Sequence, residues 1–354
     1  MAKEILTEYQ WRRNVTRVKK RPAWYGAQCY YRYPNVRRLI CNRSFQHILL
    51  LGVILLAAAI PMFYSMPVED IFAVASDQPS DTKSDPRRVN EIIYSLPELD
   101  YQQQIFTREM LSRGKMLLVD QSHLLPDEAL APNCFSIAKY ANGMVPVKSL
   151  TIKTGAETIG ALERLFDHLR RMGITDLYVA RGTMSEAEQK EAIVQKAKKM
   201  MENDSASEAI KLTLDAMDWP GTGEYCQEYT VEIRMMNTEP ENLQLLDYTS
   251  HGQTLLHLAW RYGFVRPDSA KPFCFRYVGT PHATAMTYLN LSYADYLEWL
   301  HQKGCIAIRE EGKIKYLILC KQMEGSHIAF DLPVGCNFEA SLDNLGYALV
   351  ACTL

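Results

Sequence analysis

The 354-residue chain contains no HExxH, no GxSxG, no phosphate-loop pattern and no GxGxxG. Their absence excludes the zinc-protease helix, the serine-hydrolase elbow and the usual nucleotide-phosphate cradles. Its nine cysteines form no CxxC pair. Seven lie beyond residue 68 (Cys134, Cys226, Cys274, Cys305, Cys320, Cys336 and Cys352), an odd number that does not describe a disulfide framework. His251, His282, His301 and His327 show no zinc-type spacing, and His257 sits in the apolar stretch Leu255–Trp260 as a packed side chain. No internal repeat is evident, and the formal net charge is only -2.

That small net charge conceals a segregation. Residues 1–47 carry 11 Lys and Arg against Glu4 and Glu8, a net of +9, which leaves -11 for residues 48–354. Between the basic head and the acidic body runs Ile48 to Val68, 21 residues without a charge. As a helix it spans about 32 Å, close to the roughly 30 Å of a hydrocarbon core. Basic residues before it and Glu69, Asp70, Asp77 and Asp81 after it predict a cytoplasmic N-terminus and an extracytoplasmic remainder. Ala73-Val74-Ala75 resembles a cleavage site, but 47 residues is too long for a signal-peptide head, so an uncleaved single-pass anchor in the cell membrane is expected. The adjacent anchor accounts for the basic head as a juxtamembrane segment attracted to anionic lipid, and no nucleic-acid partner is needed.

Beyond the anchor, residues 69–114 read as linker and stalk: Ser76 to Pro86 is polar and aperiodic, and Arg87 to Arg113 is expected to be helical with a break at Pro97. A folded domain follows over 115–303. Lys115 to Val119 reads as its first strand, and Gly155 to Gly173 as a helix with Ile159, Leu162, Leu165, Leu169 and Met172 on one face. Leu177 to Ala180 and Tyr229 to Met236 read as strands, the latter with Val231 and Ile233 alternating against Glu232 and Arg234. Helices are expected from Ser185 to Asn203, from Gln253 to a stop at Gly263, and from Ser292, with its capping pattern, to Lys303. Short apolar runs separated by Gly312, Gly325, Gly335 and Gly346 predict a small all-β module over 304–354. The fold class is therefore α+β.

Four blocks in order carry the chemistry. The first is Arg181-Gly182-Thr183-Met184-Ser185 with Gln189 four residues on, and the second runs from Pro220-Gly221 through Glu224-Tyr225-Cys226 to Glu232. The third is Leu258-Ala259-Trp260-Arg261-Tyr262-Gly263-Phe264, and the fourth Lys271-Pro272-Phe273-Cys274-Phe275-Arg276-Tyr277-Val278-Gly279. With this order and spacing the chain resembles the zinc-dependent D-alanyl-D-alanine carboxypeptidases of the vancomycin-resistance type, which have a Hedgehog-like D,D-peptidase fold. The resemblance covers about Lys115 to Lys303.

The resemblance implies a zinc site on the positions of Tyr225, Glu232 and Cys274, a general base at Lys271 and a substrate-carboxylate clamp at Met184. The family has His, Asp, His, Glu and Arg at those five places, so this reads as a degenerate member; Ser185 and Gln189 are kept from its substrate-facing set. A neutral phenol is a poor zinc ligand. An ammonium about 4 Å from a divalent ion costs roughly 8 kcal/mol at an effective dielectric near 20. No metal, no cofactor and no catalytic residue is expected, with Met184, Ser185 and Gln189 left lining a substrate-type cleft. The expected function is a pseudoenzyme that binds peptidoglycan peptides or a cell-envelope partner. Two alternatives stand beside it: an active carboxypeptidase holding zinc through unusual ligands, and a protein–protein module of an envelope complex.

Overall fold

Strand β1 (Asn90–Ile93) and strand β2 (Tyr101–Thr107) lie where the sequence predicts a helical stalk. In β2, Gln104 and Phe106 turn inward while Gln103 and Ile105 turn outward, the two-residue period of a half-buried strand. Its hydrogen-bond partner is β11 (His327–Pro333), more than 200 residues away, which no local reading of propensity can see. A computed structural model describes residues 90–120, 122–125, 133–202, 205–218, 220–236, 246–268 and 271–354, all within a single unit of the fold. The expected anchor over 48–68, the basic head and the linker lie outside the described residues. Among the described residues no helix is long and apolar enough to cross a membrane.

A short helix α1 (Arg108–Leu111) follows β2. Lys115 to Val119, expected as a strand, forms no ladder. Its backbone groups are taken singly: Arg276 donates to the carbonyls of Lys115 and Leu117, and the Met116 amide donates to Ser341 Oγ at 3.0 Å. Next come β3 (Cys134–Ser136), α2 (Ile137–Tyr140), β4 (Lys153–Gly155) and α3 (Ala156–Arg171). The apolar stripe of α3 is buried as the periodicity predicts, except that Met172 lies past the helix end and is exposed.

β5 (Leu177–Arg181), α4 (Glu186–Met200), α5 (Ala206–Ala216) and β6 (Thr230–Met235) precede α6 (Ser250–Ala259), β7 (Phe264–Val265) and β8 (Cys274–Tyr277). The four strands form an antiparallel sheet in the order β5-β6-β8-β7. Val179, Val231, Ile233 and Phe275 turn one face of it onto α3 and α6 in a common core. Because side chains alternate along a strand, Glu232, Arg234 and Cys274 are left on the opposite face.

Gly263 ends the α6 segment with φ +84, and a Cβ there would stand 2.7 Å from a Tyr277 ring carbon and 2.9 Å from the Gly279 carbonyl carbon. Left-handed backbone costs a non-glycine residue roughly 1–2 kcal/mol before any clash. Gly263→Ala is therefore expected to lower stability by at least about 2 kcal/mol. Urea denaturation of the full-length chain checks it, and an unchanged midpoint would remove this account of how the helix stops.

Helices α7 (Thr280–Leu289) and α8 (Tyr293–Lys303) lead into β9 (Cys305–Glu310), β10 (Lys313–Gln322), the already described β11, β12 (Asn337–Leu342) and β13 (Tyr347–Thr353). The antiparallel strands expected beyond Gly304 are present, joined by β1 in a five-stranded sheet of order β1-β9-β10-β13-β12. On β10, Tyr316, Ile318 and Cys320 face α7 and α8, while Leu317 and Leu319 face the β2–β11 ribbon. Burial on both faces explains why these strands read as near-continuous apolar runs.

Candidate ligand-binding cleft

The site forms on the face of the four-stranded sheet turned away from α3 and α6. Register places Arg181 of β5, Glu232 of β6 and Cys274 of β8 in one row. Arg181 reaches that face through a bulge: Val179 pairs with Ile233, and the next pair is Arg181 with Glu232. Without the extra residue, alternation would send Arg181 to the core side with Leu177 and Val179.

The structure brings Tyr225, Glu232 and Cys274 together. Tyr225 sits in the helical turn Glu224–Cys226, and its hydroxyl lies 3.3 Å from Glu232 Oε2. Cys274 is buried, and burial, reinforced by the Glu224 charge, pushes its thiol up, out of the thiolate range. Burial likewise pushes the Tyr225 phenol up, with Cys274 and Glu232 adding to the effect. Neither group is anionic at neutral pH. Glu232 is itself engaged by two guanidiniums, Arg181 Nε at 3.5 Å from Oε2 and Arg234 Nε against Oε1. Each guanidinium also lies over an aromatic ring, Arg181 5.1 Å from the Tyr225 centroid and Arg234 4.4 Å from that of Phe273.

Lys271 approaches from the loop before β8 and pairs with Asp218 at 2.5 Å. Burial works against its charge, but the Asp218 carboxylate outweighs that and holds the ammonium above the usual lysine value. It is a proton-saturated cation, the opposite of a general base. Met184 lines the cleft with an apolar thioether.

Gln189 is buried beside Met184, donating to the Met184 carbonyl at 2.8 Å and accepting from Cys226 Sγ at 3.2 Å. Ser185 caps α4 in a closed box, its Oγ accepting from the Glu188 amide and donating to Glu188 Oε2. Gln189 is among the residues lining the cleft and Ser185 is not. The cleft measures about 460 Å3, and Arg181, Arg234, Asp218 and Phe273 belong to it although the motif reading assigned them no role. For Arg234 a signal existed, since period-two alternation in β6 puts it on the face of Glu232.

The donor set does not fit zinc. A divalent ion at Glu232 would face two guanidinium charges, each costing about 7 kcal/mol at roughly 5 Å and an effective dielectric near 20. The phenol and thiol that would complete the set hold their protons. Among the described residues no three His, Cys, Asp or Glu side chains group to hold a metal ion.

No family model matches the sequence, and no curated protein matches it. Solved structures do resemble it. The vancomycin-resistance D,D-dipeptidase VanXYg, solved with a D-Ala-D-Ala phosphinate analogue, superposes with a TM-score of 0.59 at 15% identity, covering 72% of this chain and 100% of the other. VanYB in complex with D-alanine-D-alanine matches at a TM-score of 0.41 and 20% identity, over 52% of this chain and 97% of that one. The LD-carboxypeptidase LdcB, whose structure reveals the basis of peptidoglycan recognition, matches at 0.41 and 18% identity, over 51% and 84%. The first likeness establishes a D,D-peptidase-like fold of mixed helix and sheet.

Proposed function

We propose that this chain is a membrane-anchored protein whose D,D-peptidase-like domain lies outside the cytoplasm and binds peptidoglycan peptides, or an envelope partner that presents them, without hydrolysing them. The observation that carries the reading is the pair of guanidiniums on Glu232, one of the positions where the resemblance puts a metal ligand, together with Lys271 on the position of the base. Cations there repel a second cation and leave no group to activate water. The cleft remains open, large enough for a short peptide, and mixes aromatic, thioether and charged side chains as binding sites do. This is a domain that holds a ligand and releases it unchanged.

Bound zinc and D-alanine release from a muramyl pentapeptide, measured on the full-length chain, test the reading. The expected result is zinc well below one per chain and no release above the uncatalysed rate. Stoichiometric zinc together with release would establish the active carboxypeptidase instead. Retention on purified peptidoglycan sacculi separates wall binding from docking on a protein. Loss to the unbound fraction would favour a protein partner, for which β2 offers its outer edge, unpaired among the described residues and with Ile105 exposed.

A further inference from the structure

Arg181 and Arg234 use only part of their hydrogen-bonding capacity. A guanidinium has five N–H donors in a planar fork. Arg234 donates Nε to Glu232 and Arg181 points its Nε at the same carboxylate as an ion pair at 3.5 Å, and among the described residues neither pair of Nη nitrogens has a hydrogen-bond partner. Both side chains line the cleft, Arg181 about half exposed and Arg234 partly so. Their planes are steadied by the Tyr225 and Phe273 rings, so the forks are held in place before any ligand arrives.

Charge points the same way. The body of the protein is acidic, with -11 over residues 48–354. Lining the cleft, however, are Arg181, Lys196, Arg234 and Lys271 against only Asp218 and Glu232. Lys271 and Asp218 neutralise each other. Glu232 can balance one guanidinium of two, which leaves a positive charge at the sheet row of Arg181, Glu232 and Cys274. A concave positive site within an acidic surface focuses the field on an incoming anion.

We propose that Arg181 and Arg234 form a paired-guanidinium seat for an oxyanion of the ligand, the carboxylate of a peptide end or a phosphate group. The proposal rests on reading the cleft as a binding site. It adds that the attraction a metal would supply elsewhere in this fold comes here from two arginines. Glu232 acts as the resident counter-ion, taking Nε of each arginine and leaving the Nη pairs for bidentate contact.

Calorimetric titration of the full-length chain with three probes tests the seat: N-acetyl-D-alanyl-D-alanine, its uncharged C-terminal amide, and inorganic phosphate. Charge-assisted hydrogen bonds contribute enough that the amide should bind at least about tenfold more weakly than the acid. Arg181→Gln and Arg234→Gln should each weaken the acid by a similar factor. Arg181→Lys and Arg234→Lys keep a charge beside Glu232 and so protect the fold, yet lose the fork, and should fall between. Glu232→Gln removes the competing anion and should strengthen binding, which a merely structural carboxylate would not do.

Equal binding of acid and amide would overturn the seat while leaving the wall-peptide reading intact. Binding of phosphate without the peptide would support the seat and overturn that reading. Failure of both the acid and phosphate to bind at millimolar concentration overturns the seat, as does wild-type affinity in both glutamine variants.

Discussion

Arg276→Met is expected to lose about 3–5 kcal/mol of stability, on the order of 10 °C in melting temperature. Arg276 is completely buried, yet its guanidinium is saturated. It donates to the Lys115 carbonyl at 3.1 Å, the Leu117 carbonyl at 2.7 Å, Gln227 Oε1 at 2.7 Å and the Glu224 carboxylate at 3.3 Å, and lies 4.7 Å from the Tyr293 ring centroid. Methionine has similar bulk but no donor. It would leave two buried carbonyls, an amide oxygen and a carboxylate without their partner.

Glu224 decides the size of the effect. Burial already pushes its carboxyl up, against the opposing pull of Arg276 first and Lys271 second. Without the guanidinium it must take up a proton to remain inside, which makes the variant less stable as pH rises. The double variant Glu224→Gln with Arg276→Met should recover part of the loss, because no charge is then stranded. Urea titrations of the two full-length chains at pH 6 and pH 8 measure both effects. Equal stability of the wild type and Arg276→Met would show that the buried guanidinium contributes nothing net.

Acid sensitivity centred on His282 is the second large expectation. The ring is buried in α7 and shares a 2.9 Å hydrogen bond with the Tyr296 hydroxyl. Burial, aided by the Lys115 ammonium, pushes its pKa down to about 3 from the usual 6.5. Lys115 is itself held by Glu157 at 2.5 Å and Glu339 at 2.7 Å, so its charge persists over the same range. Folding therefore keeps this histidine neutral while the unfolded chain protonates it below about pH 6.5.

The sign follows. The unfolded state binds the extra proton, so stability is fully present above pH 6.5 and falls as pH drops toward 3. The slope is about 1.4 kcal/mol per pH unit, or roughly 2 kcal/mol between pH 6.5 and pH 5. His282→Gln should be less stable at neutral pH yet flatter across the window. Identical slopes in both chains, read from urea midpoints, would place the acid sensitivity elsewhere.

Much of this protein is legible in the residues alone. The α3 stripe, the cap of α8 at Ser292, the stop at Gly263 and the short apolar runs that become β9 to β13 all depend on neighbours within a few positions. Local sequence encodes such features directly. The four ordered blocks also reached the D,D-peptidase-like fold, at a likeness of 15% identity.

The candidate site was only half legible. Tyr225, Glu232, Lys271 and Cys274 follow from spacing, but their states do not: whether a phenol, thiol or ammonium keeps its proton depends on burial and on charges brought from other strands. The residues of β1 and β2 read locally as a stalk because their partners, β9 and β11, lie more than 200 residues away. Above all, the bulge between Val179 and Arg181 sets which face of the sheet Arg181 occupies. A strand's alternation fixes its faces only while its register is unbroken. The sequence by itself thus determined the frame and the positions that meet in the cleft. Tertiary structure alone decided that Arg181 joins Arg234 at Glu232, because that meeting depends on the register of β5 against β6.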